Sequence, residues 1–153
     1  MIQNERQYKF TKAKLKDLEQ NLSILLENRE LVTNSHPRLM RMQCAALEDQ
    51  IQVMYREITE YENLKDGKVR ITIDRLSELP IALIKARISA GMTQGELADT
   101  IGIKEQQIQR YEANHYQAVG FDRLLEIAKI LSILVPRGYA NELVDKVVLQ
   151  PSR

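Results

Sequence analysis

Two patterns predict an all-α fold in two parts: a hydrophobic repeat of alternating four and three residues across residues 40–61, and a series of short, separately punctuated amphipathic segments from Ser77 onward. Composition supports both. Hydrophobic residues make up 44% of the 153 and there is one cysteine, so a core can form without disulfide staples.

The long repeat comes first. Met40, Cys44, Leu47, Ile51, Met54, Ile58 and Tyr61 hold one heptad seam for three repeats, which predicts a helix of about 27 residues and roughly 40 Å. Tyr8, Leu15, Leu18, Leu22 and Leu25 give the preceding stretch a similar seam. Between them Thr33-Asn34-Ser35-His36-Pro37 supplies a break, with an N-cap at Ser35 and a first-turn proline. Residues 1–67 therefore read as an antiparallel helical hairpin, coiled-coil-like. A lone hairpin buries one stripe per helix, too little for independent stability. The seam Leu15, Leu18, Leu22, Leu25, Leu47, Ile51, Met54, Ile58 and Tyr61 is thus expected to serve dimerisation or the binding of a partner.

Residues 68–76 follow as a linker or short strand, since Lys68-Val-Arg-Ile-Thr-Ile73 alternates polar with β-branched residues near 69–73. Val147-Val148-Leu149 in the tail could pair with that segment. From residue 77 to 135 the pattern is helical. Ser77 can cap a helix with Pro80 in its first turn, ending at Gly91, and Thr93-Gln94-Gly95-Glu96 is a capping-box pattern that opens the next, ended by Gly102. A third helix is expected over 105–114 and a last one over 121–134. Residues 136–153 form a C-terminal tail.

The segment QGELADTIGIKEQQIQRY meets the steric demands of two helices crossing through a tight turn. Leu97, Ile101, Ile103, Ile108 and Tyr111 stand where burial is required, Ala98 sits at the crossing, and Gly102 lies at the turn, where a positive φ is cheapest for glycine. On these residues the chain resembles the Xre family of phage repressor and Cro-like regulators, over residues 79–133 and most specifically over MTQGELADTIGIKEQQIQRYE. The resemblance implies a five-helix repressor-type helix-turn-helix domain that lays its third helix in the major groove of double-stranded DNA. It places Glu105, Gln106, Gln109 and Arg110 at base-reading positions. Gln94 matches a phosphate contact at a helix N-terminus, with Arg87, Thr93 and Lys104 as further phosphate candidates. Glutamine can bond adenine through two edge atoms, and arginine can do the same for guanine. Two positions depart from the family pattern. Lys104 stands where Ser or Thr commonly caps the recognition helix, and Ala113-Asn114 replaces the usual Asn-Gly, although Asn tolerates a left-handed conformation.

Charge points elsewhere, because 22 basic against 21 acidic residues leave a net +1, where a DNA binder usually carries a basic excess. DNA binding must rest on a few placed groups and on dimer avidity. No nucleophile elbow, phosphate loop or zinc-ligand spacing is present, so no catalytic residue, metal or cofactor is expected. Cys44 reads as a small core residue and a reducing cytoplasm as the location. No stretch approaches the ~18 apolar residues of a membrane span.

Three functions fit. One is a free-standing prophage-type homodimeric repressor. Another is the antitoxin of a toxin–antitoxin operon, repressing its own promoter and binding a cognate toxin protein. IKEQQIQRYEANHY and the hairpin resemble that subgroup, which is favoured. The neutral charge keeps a third in view, a protein-interaction module with a vestigial DNA-binding fold.

Overall fold

The computed structural model describes residues 1–27, 37–69, 71–73, 75–131, 133–134 and 147–149. Their contacts divide the chain into two compact units, residues 1–61 and 62–153. The break at residues 33–36, with its expected cap at Ser35, lies outside the described residues, as does most of the 136–153 tail.

The first unit is the hairpin. Helix α1 spans Glu5–Glu27 and α2 spans Pro37–Lys65, 29 residues with the proline at its start. Proline fits there because its missing N–H would have no partner within the helix. Leu15, Met40, Ile51, Ile58 and Tyr61 are buried, while Leu18, Leu22, Leu25, Cys44, Leu47 and Met54 are half-buried. The two seams close on one another within a single chain. Polar contacts fix their antiparallel register: the Tyr8 and Tyr61 rings stack with centroids 5.1 Å apart, the Tyr55 hydroxyl donates to Glu19, and the N-terminal ammonium pairs with Glu57 at 2.6 Å.

The second unit is built of short helices. A single 3-10 turn, Leu76–Glu78, leads into α3 (Leu79–Ser89), followed by α4 (Gln94–Ile101), α5 (Glu105–Ala113) and α6 (Phe121–Ile130). Counting the 3-10 turn, five helical segments are present among the described residues of this unit. Helix α3 buries Leu79, Ala82, Leu83, Ile84, Ala86, Arg87 and Ile88, so it is enclosed on most sides rather than amphipathic. Its N-cap is Glu78, not Ser77, because the 3-10 turn takes up the expected capping residue; Pro80 falls in the first turn.

A small antiparallel sheet completes the unit. Strand β1 (Ile71–Ile73) and β2 (Ile133–Leu134) both pair with β3 (Val147–Leu149), which lies between them. The register sets Ile71 opposite Leu149 and Ile133 opposite the same residue. The tail segment thus pairs with residues 71–73 as its β-branched composition suggested. The last helix is shorter than expected, ending at Ile130 with Leu131 as its C-cap, because Ile133 and Leu134 are claimed by the sheet.

Candidate nucleic-acid interface

Helices α4 and α5 are joined by three residues whose geometry is locally determined. Thr93 caps α4 through a complete capping box. Its Oγ1 accepts from the Glu96 N–H at 3.1 Å, and the Glu96 carboxylate accepts from the Thr93 N–H at 2.7 Å. The Thr93 N–H and the Thr93 hydroxyl both donate to the Glu96 carboxylate, and these bonds to the charged form hold its carboxyl below the usual carboxylate range. Gly102 ends α4 at φ 76°, and the Ile103 N–H reaches back to the Ala98 carbonyl at 3.0 Å, which satisfies a carbonyl that the helix end would leave open.

The crossing itself is dry. Leu97, Ala98 and Ile108 are fully enclosed, with Ile101, Ile103 and Tyr111 half-buried around them. Lys104 occupies the N-cap of α5 without a side-chain cap; instead the Gln107 amide oxygen accepts from the Lys104 N–H at 3.4 Å. The glutamine supplies the reciprocal half of a capping box, and the half that a Ser or Thr side chain would make to the N–H groups of the first turn is missing.

On α5 the four residues expected to read bases, Glu105, Gln106, Gln109 and Arg110, are all exposed. Gln106 and Arg110 are one turn apart, on the side away from Ile108. Arg110, Gln106, Gln107 and Lys104 line an open hollow of about 720 Å³ with Gly102 and Ile103. Glu105 stands at the edge of this row. One carboxylate oxygen accepts from Gln109 Nε2 at 2.9 Å, and the other lies 3.6 Å from where a Cβ on Gly95 would be. The carboxylate therefore rests over the first turn of α4 and draws Gln109 toward it.

The phosphate candidates divide sharply. Thr93 and Lys104 are exposed. Arg87 and Gln94 are not: the Arg87 side chain is 3% exposed, its guanidinium donating to both carboxylate oxygens of Glu112, at 2.6 and 2.8 Å, and to the Met92 carbonyl at 2.7 Å. Gln94 Nε2 donates to the same carboxylate at 2.7 Å. The expectation that Arg87 contacts phosphate is corrected, since its fork is spent inside the protein. The Gln94 side chain likewise faces inward, leaving only the backbone N–H groups of the first turn of α4 for an anion there.

Glu112 escaped the sequence reading, although a signal was present. It follows Ile108 by four residues, on the buried face of α5, and Arg87 lies between Ala86 and Ile88 in a largely apolar helix. Two opposite charges on two buried faces are expected to meet, because either alone would be very costly to bury. Tyr116 packs nearby, 2% exposed, and burial pushes its phenol well above the usual range, with Glu112 adding to the effect. The left-handed conformation expected at Asn114 falls instead on His115 and Tyr116, at φ 47° and 56°, while Asn114 has φ −97°.

Among the described residues no helix is long and apolar enough to cross a membrane, and no group of three or more His, Cys, Asp or Glu could hold a metal. Residues 83–133 match the model of a family described as Helix-turn-helix. No curated protein and no solved structure matches the chain significantly. With a capped helix, a glycine turn and a second helix crossing it, residues 83–133 have the arrangement of the helix-turn-helix family whose model they match.

Proposed function

We propose that the chain is a homodimeric, sequence-specific repressor that reads operator DNA through α5. The observation that carries this is the row Gln106, Gln109 and Arg110, exposed on one side of a helix whose other side is locked by fully buried Ile108 and Glu112. A rigid helix presenting two amides and a guanidinium suits the major groove. Thr93, Lys104 and the first-turn N–H groups of α4 set the register on the phosphates. Residues 77–135 are the reader, residues 1–67 the dimerisation or partner unit, and residues 68–76 join them.

The test uses duplexes selected from a randomised pool, compared with scrambled duplexes of equal length. Arg110→Ala should cost about 1–3 kcal/mol on the selected duplex and relax preference at one base pair, with little effect on scrambled DNA. Lys104→Ala should weaken both alike and lower the salt slope by about one ion. A wild-type chain that enriches no sequence would defeat the proposal and favour an interaction module with a vestigial DNA-binding fold. Equal losses from Arg110→Ala on both duplexes would move base reading to Glu105, Gln106 and Gln109.

A finer version makes the chain an antitoxin that represses its own operon. It is supported by the resemblance of IKEQQIQRYEANHY and of the hairpin to that subgroup, and by a separate unit outside the DNA reader that can hold a toxin. Co-expression with the adjacent open reading frame tests it: a stable complex and relief of that protein's toxicity are expected. Neither would appear for a free-standing prophage-type repressor.

A further inference from the structure

The hairpin carries a second apolar row that its internal seam does not use. On α2, Leu39, Met42 and Val53 are 54%, 62% and 47% exposed, and on α1 Phe10 and Ile24 are 69% and 56% exposed. Ala46 lies between Met42 and Val53 and is also exposed. The steps 39, 42, 46, 53 and 10, 24 are those of a heptad row. At 100° per residue, both rows trail their seams by about 120°. In an antiparallel pair, equal offsets in the same sense bring the two rows to the same side of the hairpin. The Tyr55–Glu19 hydrogen bond verifies this rule, because both residues lead their seams by about 70° and they meet on the opposite side. One side of the hairpin is thus tied by a polar contact, and the other carries these six exposed apolar residues with the exposed carboxylates of Asp17 and Asp49 set among them.

We infer that this face binds a second copy of the chain, packing two hairpins into a four-helix bundle through Phe10, Ile24, Leu39, Met42, Ala46 and Val53. Size is the first reason. Two helices, the shorter of 23 residues, present a face about 35 Å long and about 20 Å wide, or roughly 700 Å². That approaches the ~800 Å² per partner of a stable interface. Charge is the second reason. Residues 1–67 hold 10 Lys and Arg against 11 Asp and Glu, a balance that suits an identical surface better than a strongly basic or acidic partner. The choice of occupant also rests on the operator-reading proposal, since paired half-sites call for a two-fold dimer. The residues named earlier for a dimer or partner seam face one another within the hairpin, Leu15, Ile51, Ile58 and Tyr61 buried and the others half-buried, and the contact between copies is assigned to the second row.

Sedimentation of the full chain at micromolar concentration, without DNA, is the direct test. The wild type should sediment at twice the chain mass of 17.7 kDa. Met42→Glu and Val53→Glu should each sediment at the single-chain mass with unchanged helical circular dichroism, because both positions are already solvated in one chain. Gln52→Glu, on the polar side, should remain dimeric. A wild-type monomer, or face variants that stay dimeric, would overturn the inference. Should a variant lose its helical signal, hydrogen exchange of the wild type decides without substitution: residues 39–53 must exchange more slowly as concentration rises, and concentration-independent exchange would overturn the inference. Binding to selected duplexes should fall about 100-fold in the monomeric variants. A wild-type dimer that enriches no duplex would sink the DNA reading and leave this face standing, whereas a wild-type monomer that binds selectively would do the reverse.

Discussion

The hairpin and the helix-turn-helix unit bury their side chains in different ways. The hairpin closes one stripe per helix, and roughly half of its seam, including Leu18, Leu22 and Met54, remains partly open. The second unit encloses Leu83, Ile84, Leu97, Ile108 and Ile127 completely, together with one carboxylate, Glu112. Two elements in contact can hide only the surface between them, while four helices and a sheet can surround a residue on every side. The second unit can therefore hold a charge cluster in its interior that a two-helix seam has no room to satisfy.

The largest effect should come from that cluster. Glu112→Ala leaves the Arg87 guanidinium buried without its two carboxylate bonds and takes the Gln94 acceptor away, an expected loss of about 3–5 kcal/mol in urea unfolding. A loss below about 1 kcal/mol would mean that water replaces the carboxylate, and the contrast between the units would narrow.

Next is a matched pair of truncations. Leu97→Ala, at a fully enclosed site, should cost about 2–5 kcal/mol, whereas Leu18→Ala on the half-open seam should cost about 1 kcal/mol. Hydrogen exchange localises each loss to its own unit, and equal costs would show the seam to be better covered than one chain makes it.

A smaller effect is expected at the turn. Gly102→Ala meets no neighbouring atom within 4 Å, so its cost is the left-handed backbone alone, about 1 kcal/mol by thermal unfolding. A much larger loss would reveal a steric role for the turn in seating α5.

The smallest concerns acid. Glu96 is held below its ordinary range by Thr93, so the stability it contributes is present above the unfolded carboxylate pKa of about 4.3 and is lost as pH falls through the lower folded value. Glu96→Gln should flatten that acidic limb by lowering stability at pH 7 slightly while leaving stability in acid little changed. An unaltered limb would assign acid sensitivity to other carboxylates.

Much of this molecule follows from short-range rules. The α4 capping box, the Gly102 turn and the heptad seam of α2 depend on residues three to seven apart, so neighbouring letters suffice to specify them. The exposed α5 row was legible for the same reason: helical periodicity sends Gln106 and Arg110 away from Ile108. Other outcomes needed partners distant in sequence. Arg87 and Gln94 have the right chemistry for phosphate, yet a carboxylate 25 and 18 residues away turns both inward. The end of α6 at Ile130 was decided by β3, whose pairing at Val147–Leu149 claims the next residues. Sequence alone determined which segments are helices, the capping box that opens α4 and which faces are apolar, because those are properties of the local chain. Only the tertiary structure decided which polar side chains remain available to a ligand, because a buried charge must find its counter-charge wherever the fold brings one within reach.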